Sequence, residues 1–128
     1  MSAPTTTADR AAMVRSMCAA VDAGAAEEFG AWFAPDATYT FGNGETLVGR
    51  DAVVAATAGA AGALPWVRHT VEDVAEIDDR LFCRFTIGTE SPAGAALALP
   101  CLTVIRLGEG GIVDYRVFMD LSPAFAGA

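Results

Sequence analysis

From Trp66 onward the chain is written as four long strand-like segments joined by very short turns, and this limits its fold more than any other feature. The segments are residues 66–77, 80–90, 97–107 and 111–121. Between them lie Asp78-Asp79, Ser91-Pro92-Ala93-Gly94 and Gly108-Glu109-Gly110. Such joints turn readily but are too short for the crossover that parallel neighbours need, so an antiparallel meander is expected. One face of that sheet has to be covered, and only the N-terminal half can cover it.

That half reads as helical. Thr6 and Asp9 stand in capping-box spacing, with Asp in place of the usual Glu. Val14, Met17, Cys18 and Val21 then recur at i, i+3, i+4 and i+7 and fall on one helical face, and Gly24 is a natural stop. A second helix is expected over residues 26–33, burying Phe29, Trp32 and Phe33, with Pro35 ending it. The period then changes to two. Residues 37–41 alternate, Gly42-Asn43-Gly44 turns the chain, and residues 45–48 return as a hairpin. Gly49-Arg50-Asp51 opens a third helix through Val53, Val54 and Thr57, which is expected to dissolve between Gly59 and Gly62. No internal repeat or linker is visible, and 128 residues suit one core. Residues 1–128 are therefore read as a single domain, with residues 1–6 flexible.

Composition narrows the partners. Sixteen acidic residues face eight basic ones, and all eight are arginine, spread along the chain without a cluster. That distribution gives neither a nucleic-acid backbone nor an anionic membrane anything to hold. The polar N-terminus is no signal peptide, and no apolar run approaches the roughly 20 residues that span a bilayer. Cys18, Cys83 and Cys101 are odd in number and set in apolar surroundings, and they read as reduced core thiols of a cytoplasmic protein. With a single histidine and no close cysteine pair, no metal site is expected. There is also no phosphate loop, nucleophile elbow or dinucleotide fingerprint, which leaves cofactor-free chemistry.

The element order resembles the nuclear transport factor 2-like superfamily, an α+β cone in which three N-terminal helices pack on a curved, mostly antiparallel sheet around a pocket. Phe33-Ala34-Pro35-Asp36-Ala37-Thr38-Tyr39 resembles that family's entry from helix to strand. Leu47-Val48-Gly49-Arg50-Asp51-Ala52-Val53 resembles its lead into the third helix. Gly111-Ile112-Val113-Asp114-Tyr115-Arg116, running on to Asp120, resembles the last strand of the SnoaL-like polyketide cyclases. The resemblance implies a carboxylate acid or base at Asp120 and a pocket histidine at His69. It also implies an outer sheet face suited to a homodimer. The related steroid isomerases place a base where this chain has Phe41 and a phenol where it has Met17, with Thr103 near their remaining donor, so their dyad is absent. The Asp, Arg and Asp set of the limonene epoxide hydrolases has no counterpart in residues 97–107.

The residues themselves support two candidate proton-transfer groups. Asp120 ends a mostly apolar run, where a carboxyl resists ionising and suits a general acid; the competing reading is a turn cap ahead of Ser122-Pro123. His69 alternates onto the same face as Val71, and histidine is the side chain suited to proton transfer near neutral pH. Tyr39 and Phe41 share one strand face, as do Phe118 and Asp120. With Trp66 they are expected to wall the pocket, Asn43 to offer a hydrogen bond at its rim, and Met17 and Thr103 to complete the lining. Arg84, Arg106 and Arg116 are expected to pair with acids on the outer face. The function these features imply is a cofactor-independent enzyme for a small hydrophobic, polyketide- or terpenoid-like metabolite. Its reaction would be cyclisation, isomerisation, dehydration or hydrolysis by acid–base catalysis. The alternative is a ligand-binding or dimerisation module of the same fold.

Overall fold

The computed structural model describes residues 7–126. Three helices, α1 (Thr7–Asp22), α2 (Ala26–Gly30) and α3 (Arg50–Ala63), lie on one face of a six-stranded sheet. The strands are β1 (Phe33–Phe41), β2 (Leu47–Val48), β3 (Arg68–Ile77), β4 (Arg80–Glu90), β5 (Ala96–Gly108) and β6 (Gly111–Phe118), in spatial order β2-β1-β6-β5-β4-β3. Every neighbouring pair is antiparallel except β1 and β6, which run parallel. This is the expected α+β cone. The expected cap at Thr6 and the flexible segment 1–6 lie outside the described residues. No helix among them is long and apolar enough to cross a membrane.

The helical face read from the sequence is the one that packs: Val14, Met17 and Cys18 are buried, and α1 lies against β3. Gly24, at φ +72°, ends that helix. The second helix is shorter than expected. It stops at Gly30, where an added Cβ would stand 2.3 Å from Val54 Cγ2 of α3, so the two helices touch through the bare glycine. The chain is already extended at Phe33, and Trp32 is exposed instead of buried. Pro35 accordingly lies in β1 and not at a helix end. It sits between Phe33 and Thr38, where the β1–β6 register shifts and no regular ladder donor is required.

The third helix persists to Ala63, past the point where it was expected to dissolve. Gly59 and Gly62 face open space, and the many alanines beside them are the best helix formers, while Val53 and Thr57 bury the inner side. Gly49 at φ +100° sets the entry to this helix, and its N–H bonds to Ala37 O at 2.7 Å. Arg50 then grips Phe33 O through Nε and Nη2, at 2.9 and 2.7 Å, tying the helix start to the start of β1.

One irregularity sets the two faces of β6. In the β5–β6 ladder, Arg106 opposes Asp114 and Leu107 opposes Ile112, which leaves Val113 as an extra residue. Such a bulge reverses which side chains face inward. Ile112 is buried ahead of it, and Tyr115 and Val117 are buried after it.

Candidate functional site

Between helices and sheet lies a largely apolar cavity of about 110 Å³. Helix residues Val21, Phe29 and Thr57 face it from one side, and sheet residues Tyr39, Phe41, His69, Thr103 and Tyr115 from the other. Strand alternation puts His69 there, between the inward-facing Val67 and Val71 of its own segment. Its ring and that of Phe85 stand in a T-shaped contact, with centroids 5.6 Å apart.

His69 is held by an acid that the sequence reading did not single out. Asp22, the last residue of α1, accepts His69 Nδ1 on Oδ1 at 2.6 Å and the His69 backbone N–H on Oδ2 at 2.8 Å. A carboxylate only accepts hydrogen bonds, so Nδ1 carries a proton, and in the neutral ring the lone pair stands on Nε2. Nε2 has no partner among the described residues. No buried side-chain polar atom there is left unsatisfied either, so Nε2 borders open space. An aspartate at a helix C-terminus meets the negative end of the helix dipole, a loss of roughly 0.3–1 kcal/mol. That misplacement was the signal in the sequence that Asp22 is employed elsewhere. On its far side the pair borders a groove between α1 and β3, beside Arg15 and Cys18.

The two threonines on the wall are already engaged. Thr57 Oγ1 bonds back to Val53 O at 2.8 Å, and Thr103 Oγ1 lies 3.6 Å from Cys101 Sγ. Cys18, Cys83 and Cys101 are free and buried; burial pushes the Cys18 and Cys83 thiols up to about 12 and raises Cys101 as well. The hydroxyls of Tyr39 and Tyr115 have no hydrogen-bond partner among the described residues. Their burial pushes Tyr39 up to about 12 and Tyr115 well above the ordinary phenol value. No group of three or more His, Cys, Asp or Glu among the described residues could hold a metal ion.

The structure therefore brings together four of the nine sequence candidates: Tyr39, Phe41, His69 and Thr103. Met17 is buried in the core and is not on the wall. Asn43 is exposed in the hairpin turn, and Trp66, 41% exposed, covers Gly88. Phe118 and Asp120 do share a face, but the Val113 bulge turns it outward: Phe118 is 52% exposed, and Met119 takes the inward place. Asp120 is fully exposed, and its Oδ1 accepts Ser122 N–H at 3.0 Å. Hydrogen bonding by Ser122, side chain first and backbone second, holds its carboxyl below the ordinary value, opposite to the shift a general acid needs. The turn cap is the reading the geometry supports. The three outer arginines pair with acids, Arg84 with Asp73, Arg106 with Asp79 and Arg116 with Asp114.

A sequence model of the SnoaL-like domain matches residues 14–115, from the buried face of α1 to the inner face of β6. The chain belongs to the SnoaL-like family. No curated protein sequence matches it. Solved structures share the SnoaL-like fold at low identity. A SnoaL-like polyketide cyclase candidate from Jannaschia sp. CCS1 is 17% identical over 100% of this chain and 99% of its own, with a TM-score of 0.79. A protein with a ketosteroid isomerase-like fold from Catenulispora acidiphila DSM 44928, in complex with trimethylamine, is 23% identical over 87% of each chain, with a TM-score of 0.78. TerC, co-crystallised with polyporic acid, is 17% identical over 85% of this chain and 89% of its own, with a TM-score of 0.74.

Proposed function

We propose that this SnoaL-like protein is a cofactor-independent enzyme that moves protons on a small hydrophobic metabolite, polyketide- or terpenoid-like, bound in the cavity. His69 Nε2 is the base, and Asp22 fixes its tautomer and aim. The observation that carries this reading is the Asp22–His69 clamp, with two bonds of 2.6 and 2.8 Å holding one imidazole on the wall of an apolar cavity. Asp22 also steadies the imidazolium that forms once Nε2 has taken a proton, so the same pair can return that proton to another atom. Cyclisation, isomerisation and dehydration all fit such a base. Asp120, outside the cavity, has no part in it. A cone filled by its own side chains would favour a scaffold role, and the open cavity weighs against that.

The test is a turnover screen over ketone and terpenoid metabolites, with His69→Gln as the comparison. Loss of roughly 10²–10⁴-fold in turnover, with ligand affinity little changed, is expected of a general base. Unchanged turnover in His69→Gln would end this assignment. Binding without turnover of any compound would favour the pure binding module.

A further inference from the structure

The two halves of α3 are held very differently. The first half is anchored: Arg50 grips Phe33 O through two nitrogens, Val53 is fully buried, and Val54 meets Gly30 of α2. Along the inward side of the helix the chain then presents Val53, Thr57, Ala60 and Leu64, at i, i+4, i+7 and i+11, which is one helical face. Burial stops halfway along it. Val53 and Thr57 are buried, whereas Ala60 is exposed although it lines the cavity beside Thr57 and Leu64. A residue that both lines a cavity and meets solvent stands at its mouth. The mouth therefore lies under residues 58–63, the end of α3.

That end is weakly held. Ala58, Gly59, Ala60, Gly62 and Ala63 are all exposed, and a Cβ at either glycine would meet nothing within 4 Å. A glycine in a helix interior lowers the helical population about fivefold relative to alanine. The last turn carries no basic residue to meet the negative end of the helix dipole. Where α1 closes on Gly24 in the left-handed region, α3 passes at Leu64 straight into extended chain, at φ −113° and ψ 145°. Pro65 follows and has no N–H to offer the free carbonyls. At the border between the halves, Thr57 Oγ1 bonds back to Val53 O at 2.8 Å, a contact that favours a bend. A segment with so few buried contacts opens at low cost.

The cavity itself calls for such an opening. It holds about 110 Å³, less than the roughly 150 Å³ of an apolar cavity that takes up benzene. Even a one-ring ligand has to press on the wall. On the sheet side that wall is tied into continuous ladders, and on the helix side it is not. We propose that residues 58–63 of α3 are the door of the cavity, unwinding from Thr57 onward so that a compact hydrophobic ligand passes Ala60. This rests on the reading of the cavity as the ligand site and is independent of His69 as the base.

Fluorobenzene, followed by ¹⁹F exchange NMR, reads entry and release without any turnover. Gly59→Ala and Gly62→Ala add methyls that touch nothing, and each should slow entry about fivefold, or roughly 25-fold together. Ala58→Gly should speed entry about fivefold. Ala55→Gly, equally exposed but in the anchored half, should leave entry within about twofold of wild type. Hydrogen exchange should find the amides of residues 60–63 opening more readily than those of residues 54–57, and the double alanine variant should slow them. Entry rates that ignore the Gly59, Gly62 and Ala58 variants overturn the proposal. An Ala55→Gly effect as large as that of Ala58→Gly also overturns it, because the whole helix would then be leaving. Absence of saturable fluorobenzene binding removes the cavity as a ligand site and the door with it. Door-dependent entry without turnover of any compound upholds the door and counts against the enzyme alone.

Discussion

On the inner face of β5 and β6 stand Cys101, Thr103, Tyr115 and Val117, all buried; on the outer face of the same two strands stand Leu102, Arg106, Arg116 and Phe118, all exposed. The outer face carries the charge, in ion pairs whose side chains are mostly about half exposed, and pairs of that kind contribute little to stability. The inner face carries the packing and the cavity. The contrast teaches which carboxylates can reach the cavity. Both acids on β6 and just beyond it, Asp114 and Asp120, are used on the outside, as an ion-pair partner and a turn cap. The carboxylate that serves the cavity is Asp22, which reaches His69 from the helix layer.

The strongest way to break this contrast is to place one charge on each face. Val117→Arg buries a charge without a partner and should destabilise by about 3–5 kcal/mol, enough to lose most folded protein. Phe118→Arg, the next residue, should stay within about 0.5 kcal/mol of wild type. Thermal or denaturant unfolding reads both, and equal losses would void the assignment of faces. Next in size, within the cavity, is the division of labour between Asp22 and His69. Asp22→Asn should lower turnover, but by less than the His69→Gln loss of roughly 10²–10⁴-fold. The single histidine also gives an unambiguous ¹⁵N signal. It should report the Nδ1–H tautomer in wild type and a mixed population in Asp22→Asn, and an unchanged tautomer would remove Asp22 from the site.

The two faces should also differ in their response to pH. Cys18, Cys83 and Tyr39 are raised to about 12 in the folded state by burial. Their contribution is fully present below their unfolded values, about 9 and 10, and is lost as pH climbs toward 12. Denaturant midpoints should therefore fall steadily over that alkaline range. Asp120 works in the opposite sense. Its lowered carboxyl contributes above its ordinary value and loses that contribution as pH falls through the acid range. Midpoints that stay flat between pH about 9 and 12 would contradict the burial of the inner groups. The smallest effect is expected of Asp120→Asn, with turnover unchanged and stability close to that of the wild type. A large loss of turnover would restore Asp120 to the mechanism.

Most of the fold was legible because its signals are local. The i, i+3, i+4, i+7 face of α1, the turns at Asp78-Asp79 and Gly108-Glu109-Gly110, and the hairpin after Phe41 each follow from a few adjacent residues. Alternation also placed Tyr39, Phe41 and His69 correctly on the inner face. It failed on β6, although Arg116 shares parity with Phe118 and Asp120 and is a poor occupant of an apolar cavity. That charge was the available warning that the face turns outward. The Asp22–His69 bond joins residues 47 apart in sequence and depends on how α1 docks against β3, which no local pattern encodes. The length of α2 depends in the same way on Gly30 meeting Val54.

The bulge at Val113 has an evolutionary side. Gly108 leaves room for it, since a Cβ there would stand 2.8 Å from Val113 Cγ1. A single-codon deletion at that point would remove only the unpaired residue and leave Ile112 opposite Leu107 and Asp114 opposite Arg106. Tyr115, Val117 and Met119 would keep their inward places. A deletion two or three residues later has no such slack and would turn the rest of the strand over by one pleat. The bulge is therefore a buffer for chain length, a point where the gene can gain or lose a codon without rewriting the wall of the cavity.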